Sequence, residues 1–175
     1  MLKGIVAALV ALTVTGLAAA APQGDAYKLR ATLAAGAEVP KPTGAPAAAR
    51  GLFTGKSVEL ANDKARLSWK LTFSHLSGKA IAAHIHIGKR GKSGAILVAL
   101  CGPCRSAQTG RAVITHAQEA KIERGLTYVN VHTPKNAAGE IRGQVKATET
   151  KESSDTSPQP PPPPPSPAPE PPPYP

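Results

Sequence analysis

Between residues 27 and 148 apolar and polar side chains alternate with a period of two, the rhythm of strands that bury one face. Residues 27–33 set Tyr27, Leu29, Ala31 and Leu33 against Lys28, Arg30 and Thr32. Residues 65–73 alternate best, with Leu67, Trp69, Leu71 and Phe73 inward and Arg66, Ser68, Lys70 and Thr72 outward, which places the single Trp in the core. Residues 51–60 form a weaker strand with Leu52, Val58 and Leu60 in phase and Phe53 out of phase. Three further stretches carry polar chemistry on the opposite parity. Residues 83–88 alternate Ile85 and Ile87 with His84 and His86; residues 128–132 alternate Val129 and Val131 with Tyr128, Asn130 and His132; residues 141–145 set Ile141 and Val145 against Arg142 and Gln144. The apolar run 95–100 reads as a strand covered on both faces, its parity unreadable, and a short strand falls near 112–115.

Breakers divide these elements. Gly36, Pro40, Pro42, Gly44 and Pro46 make residues 34–50 a surface loop. Asn62 and Asp63 tolerate left-handed backbone and predict a hairpin turn. Residues 89–94 are polar, Gly-rich and the densest basic cluster. Residues 117–124 lack Gly and Pro, are rich in good helix formers and are followed by Gly125, so they predict one short helix. Strands are expected at 126–133 and 140–148, around a turn at 134–139. Seven or eight short strands with one helix predict an all-β fold, an antiparallel Greek-key β-sandwich of the immunoglobulin-like or Cu/Zn superoxide dismutase-like kind.

The two ends have other compositions. Residues 1–20 run from a basic start through an apolar stretch to Ala18-Ala19-Ala20, the pattern of a secretory signal peptide. Residues 26–148 form the expected domain. Residues 151–175 are mostly proline and predict a stiff, disordered tail. Residues 22–148 hold 19 Lys or Arg against 7 Asp or Glu, whereas residues 149–175 hold one Lys against four acids. The basic part is therefore the folded part, suited to anionic extracellular or cell-wall polymers or to proteins. Nucleic acid is not expected, because aromatics are 3% of the chain and stacking needs them. No transmembrane segment is expected after processing, and the location implied is secreted, extracellular, periplasmic or wall-associated.

Two sets of residues carry candidate chemistry. His84-Ile85-His86 resembles the His-x-His copper motif of Cu/Zn superoxide dismutase, with His132 available as a third ligand, and imidazole suits both copper and zinc. No acidic, His-rich loop completes a bridged two-metal site, and Arg142 shares the parity. The other arrangement is structural: His84, His86, Asn130, His132, Arg142 and Gln144 satisfying one another and nearby backbone groups in a polar network within the sandwich. Cys101-Gly102-Pro103-Cys104 has the spacing of a thioredoxin-type centre, but that chemistry needs a helix N-terminus in a βαβ unit. Here the pair follows a strand and predicts a local disulfide across a tight turn. No acid pair, nucleophile elbow or phosphate loop stands out, so no enzymatic activity is expected.

AHIHIG, the Gly-rich loop after it and RGLTYVNVHTPKNAAGEIRGQV, together with LAAGAEVPKPTGAPAAARG at residues 33–51, resemble the CHRD domain, the module named for chordin. The resemblance covers residues 29–146 and implies a secreted β-sandwich. CGPC departs from many members, so the resemblance does not interpret the cysteines. The expected function is a non-catalytic extracellular binding or structural module without a cofactor; the alternative is a copper or zinc protein using His84, His86 and His132.

Overall fold

The computed structural model describes residues 25–150. The signal peptide expected at 1–20 and the proline-rich tail expected at 151–175 lie outside them. The fold is all-β with one short helix: β1 (Ala26–Ala34), β2 (Arg50–Leu60), β3 (Lys64–Ser74), β4 (Ala82–Ile87), β5 (Ile96–Cys101), β6 (Gln108–Thr115), α1 (His116–Glu123), β7 (Thr127–His132), β8 (Ile141–Gln144) and β9 (Lys146–Thr150). All pairings are antiparallel and join the strands in one nearly closed sheet of order β5-β4-β7-β8-β1-β2-β3-β6, with β9 beside β1. The chain leaves β3 for β4 and β5, and β6 returns to pair with β3, the return of a Greek key.

One core lies between the two halves of this curled sheet. Leu29, Leu33, Phe53, Leu67 and Leu71 from one half meet Ile85, Val98, Val129, Val131 and Ile141 from the other. Asn62 and Asp63 take the left-handed conformation their turn requires, with φ of 62° and 53°. Thr115 and Gln118 form a capping box that starts α1, and the helix buries Ile122 and Glu119.

Four details differ from the pattern-based expectation. Phe53, not Leu52, points inward in β2, because its neighbours across the sheet are Ala31 and Leu71, both buried; Leu52 pairs with Thr32 and Thr72 on the outer face. A central strand takes its parity from its partners. β5 is not covered on both faces: it pairs only with β4, Val98 and Leu100 turn inward, and Ile96 is 55% exposed. Two register shifts against β4 break the alternation that a regular strand would have shown. The strand expected at 140–148 is two strands, since Val145 turns its side chain into the core and donates its N–H to the Thr127 carbonyl. β6 begins at Gln108, earlier than expected.

Trp69 enters the core between two glycines, Gly55 on β2 and Gly110 on β6. A Cβ at Gly110 would lie 2.2 Å from the indole Cζ2. Gly110→Ala should therefore destabilise by about 1–3 kcal/mol, as overpacking does. Gly36→Ala, with nothing within 4 Å of its Cβ, provides a matched control. Urea denaturation of both variants measures the difference.

Candidate functional site

β4 and β7 pair with His84 opposite Asn130 and Ala82 opposite His132. That register sets His84 and His132 diagonally on one face, and the period of two brings His86 onto the same face. The ring centroids are 4.9 Å apart for His84 and His132, 5.5 Å for His84 and His86, and 6.1 Å for His86 and His132. One ring nitrogen from each lies within 4.8 Å of those of the other two. His86 and His132 are buried and His84 half-buried.

The protein fixes the tautomers of two of these rings. His86 Nδ1–H donates to the Gly94 carbonyl at 2.9 Å, and His132 Nδ1–H donates to the Ala137 carbonyl at 3.0 Å. Each therefore keeps its Nε2 lone pair free of a proton. His84 Nδ1 lies 3.0 Å from His132 Nε2, so it is the donor in that contact. His86 Nε2 is buried without a partner. Burial, followed by the neighbouring His132 and His86, pushes the His84 pKa down to about 4. Burial also lowers that of His132, against the Ala137 hydrogen bond and with the help of His86. Neutral imidazoles with lone pairs are the form that binds metal.

The polar side chains around the imidazoles bond chiefly to backbone carbonyls. Asn130, Arg142 and Gln144 do not satisfy the histidines or one another; Arg142 and Gln144 hold the basic loop between β4 and β5. Arg142 Nη2 donates to the Lys89 and Lys92 carbonyls at 3.1 and 2.8 Å, and Gln144 Nε2 donates to the Gly88 and Gly125 carbonyls at 2.8 and 2.9 Å. Asn130 Nδ2 reaches the Ala138 carbonyl at 3.5 Å. The reason is stoichiometric: the loop's carbonyls need donors, and these side chains supply them. Tyr128 completes the clamp. Its hydroxyl accepts from Gly94 N, its ring stacks on His86 at 5.0 Å between centroids, and the Arg142 guanidinium lies 3.3 Å over its ring centre. Gly94 cannot be another residue, because a Cβ there would sit 1.9 Å from the Ile87 carbonyl oxygen.

Cys101 and Cys104 form a disulfide with Cα atoms 5.2 Å apart, at the end of β5 rather than at a helix N-terminus. Cys104 N–H donates to the Ala80 carbonyl and ties this turn to the chain entering β4.

Pattern reasoning missed two buried acids near the site. Glu38 is 1% exposed, with Oε1 accepting from Val39 N–H and Oε2 unpartnered. Burial raises its pKa, against that hydrogen bond and the Arg142 charge. Its signal was the Glu-Val-Pro of the family resemblance. Glu140 is fully buried and accepts from Ser77, Thr133 and Asn136, fastening the turn after β7 to the one before β4. No side-chain rhythm announces such a carboxylate.

The fold and this face define a class: an all-β domain, its strands in one curled antiparallel sheet, with three imidazoles converging beside a clamped basic loop. The CHRD domain family model matches residues 29–145, and the chain belongs to that family. No curated protein and no solved structure matches it.

Proposed function

We propose that this CHRD protein is an exported, non-catalytic binding module that holds one copper or zinc ion on His84, His86 and His132. The signal-like residues 1–20 and the disulfide support export, since such cross-links persist in oxidising compartments. No helix among the described residues is long and apolar enough to cross a membrane.

The observation that carries the metal reading is the pair of preset tautomers. A metal-binding histidine usually donates its second ring N–H to a carbonyl or carboxylate, which orients the ring and fixes the free nitrogen. His86 and His132 both do this, and His86 Nε2 has no other use. Three imidazole nitrogens around a tetrahedral ion stand about 3.3 Å apart, given metal–nitrogen bonds of about 2.0–2.1 Å. The 3.0 Å approach of His84 to His132 is close to that spacing. His84 would move its proton to Nε2 on ligating through Nδ1, with no net change of charge. A three-histidine set leaves a fourth position for water or an exogenous anion.

Calorimetric titration of the purified chain with Cu²⁺ and Zn²⁺ tests this. One equivalent should bind, and His86→Ala or His132→Ala should weaken it by more than about 100-fold, beyond the loss typical of a supporting residue. His75→Ala, at an exposed histidine away from the cluster, should leave affinity unchanged. Absence of stoichiometric binding, or binding indifferent to the cluster variants, would remove the metal from this account.

A further inference from the structure

The outer face of β9-β1-β2-β3-β6 separates charge in a way that folding alone does not call for. Register places Thr148, Lys28, Lys56, Ser68 and Arg111 in one row across the five strands, and Lys146, Arg30, Thr54, Lys70 and Thr109 in the next. All six cations in these rows are exposed. Lys28 stands directly opposite Lys56, and Arg30 directly opposite Lys146. Like charges in directly opposed positions of a sheet are destabilising. No acid among the described residues occupies an outward position on these strands. Glu59 and Glu149 have the other parity, opposite Ala65 and Tyr27. No Lys or Arg among the described residues pairs with a carboxylate; the ion pairs there belong to His116.

A recess lies in the middle of this plate. Between the two rows, the side chains of Thr54, Ser68, Lys70, Thr109 and Arg111 surround an open trough of about 670 Å³ whose lining also includes Gly55, Trp69 and Gly110. Hydroxyls and two cations around a shallow hollow match a sugar ring that bears a carboxylate. The trough is open, so a chain can pass across it. With strands about 4.8 Å apart, each row offers cations about 5 to 10 Å from one another over about 14 Å. That spacing suits a chain with an anion on every unit or every second unit.

We propose that this face binds a linear acidic polysaccharide, with one uronic acid ring seated in the trough between Lys70 and Arg111. The site is on the opposite half of the sheet from the imidazoles and does not depend on them. The plate presents no aromatic ring on which a nucleic-acid base could stack, since Trp69 faces the core. Val113 is its one large, mostly exposed apolar side chain, which is too little to anchor the face in a bilayer.

The test measures binding of the full chain to oligogalacturonate at physiological salt, with neutral dextran as the reference. Lys70→Gln with Arg111→Gln should weaken binding by about tenfold or more and flatten its salt dependence, because exposed charge contacts are screened by salt. The triple change Lys89→Gln, Arg90→Gln and Lys92→Gln, in the other basic cluster, should alter affinity less than twofold. Thermal melts confirm that the variants fold, and wild type should melt higher with oligogalacturonate present, since the anion relieves the opposed like charges. The proposal fails if the loop variant loses binding while the plate variant keeps it, or if dextran binds equally well. It also fails if anionic phospholipid vesicles or duplex RNA bind more tightly than oligogalacturonate through Lys70 and Arg111. Neutralising Glu152, Asp155 and Glu170 to their amides should leave affinity within twofold; a tenfold rise would show the acidic tail to be the plate's own occupant.

Discussion

Glu140→Ala should cost the fold about 3–5 kcal/mol, a large share of a typical domain's stability. The carboxylate is fully buried and accepts from Ser77 N–H at 2.6 Å, the Ser77 hydroxyl, the Thr133 hydroxyl at 2.6 Å and Asn136 Nδ2 at 3.2 Å. Removing it strands four donors, each of which then bears about 1–3 kcal/mol of unrecovered desolvation before relaxation. Glu140→Gln keeps the volume but points an amide N–H₂ at donors, so it should recover only part of the loss. Burial would raise the Glu140 pKa, yet the hydrogen bonds from Ser77, Thr133 and Asn136 outweigh it and hold the value below the ordinary 4.5. A group whose pKa is depressed by folding gives stability that is complete above its unfolded value and is lost as pH falls through the folded one. Glu38 and Glu119 work in the opposite direction. Burial raises both above 4.5, so their protonated forms favour the fold, and that contribution is present below 4.5 and fades as pH rises through their folded values. His84 and His132, whose pKa values burial lowers from 6.5, resist protonation in the fold and so remove stability as pH falls below 6.5. Urea midpoints taken from pH 7 down to pH 3 should thus fall below about 6.5, a loss that Glu38 and Glu119 partly offset, with a further loss below about 4.5 that Glu140→Gln flattens. An Ala variant within 0.5 kcal/mol of wild type at neutral pH, roughly the size of an ordinary surface effect, would contradict the clamp.

Arg142→Met should leave the sheet standing and disable the site from a distance. Arg142 is 2% exposed, joins Lys89 and Lys92 through two hydrogen bonds and covers the Tyr128 ring. Methionine keeps most of the packing and avoids leaving a charge buried, so the stability change should stay below about 2 kcal/mol. The turn at Lys89–Lys92 loses its donor, however, and Gly94, whose carbonyl orients His86, follows directly. The expected result is a 10–100-fold loss of Cu²⁺ or Zn²⁺ affinity, the range for losing a residue that supports a metal ligand. Nitrogen chemical shifts of the His86 ring should change from a single Nδ1–H tautomer to a mixture. Hydrogen exchange should quicken at the Lys92 amide, which donates to the Lys89 carbonyl. Unchanged affinity and an unchanged tautomer would mean that Arg142 is packing only.

The face that carries the imidazoles was legible because His84 and His86 are two residues apart on a strand, and a period of two leaves no other option for them. His132 was legible for the same reason within Tyr128 to His132, although only the β4–β7 register decides that it falls beside His84. The partners of these rings were not legible, since the Gly94 and Ala137 oxygens belong to the backbone and leave no trace in a side-chain pattern. The Glu140 clamp was hidden by distance: Ser77 is 63 residues away, and only the fold brings them together. Phe53 was misread because hydrophobic counting along one strand cannot see Ala31 and Leu71 on either side. Arg142 and Gln144 were placed on the polar parity with backbone groups among their partners, but which carbonyls they reach was not legible, because the demand of the basic loop for donors appears only once its path is known.

X-ray absorption at the metal edge of the chain loaded with one equivalent of Cu²⁺ or Zn²⁺ examines the three-imidazole centre most directly. A shell containing three imidazole nitrogens at about 2.0–2.1 Å is the predicted result, with the multiple-scattering pattern of imidazole rings reduced in His86→Ala. A first shell made of oxygen alone, or one untouched by that substitution, would contradict it.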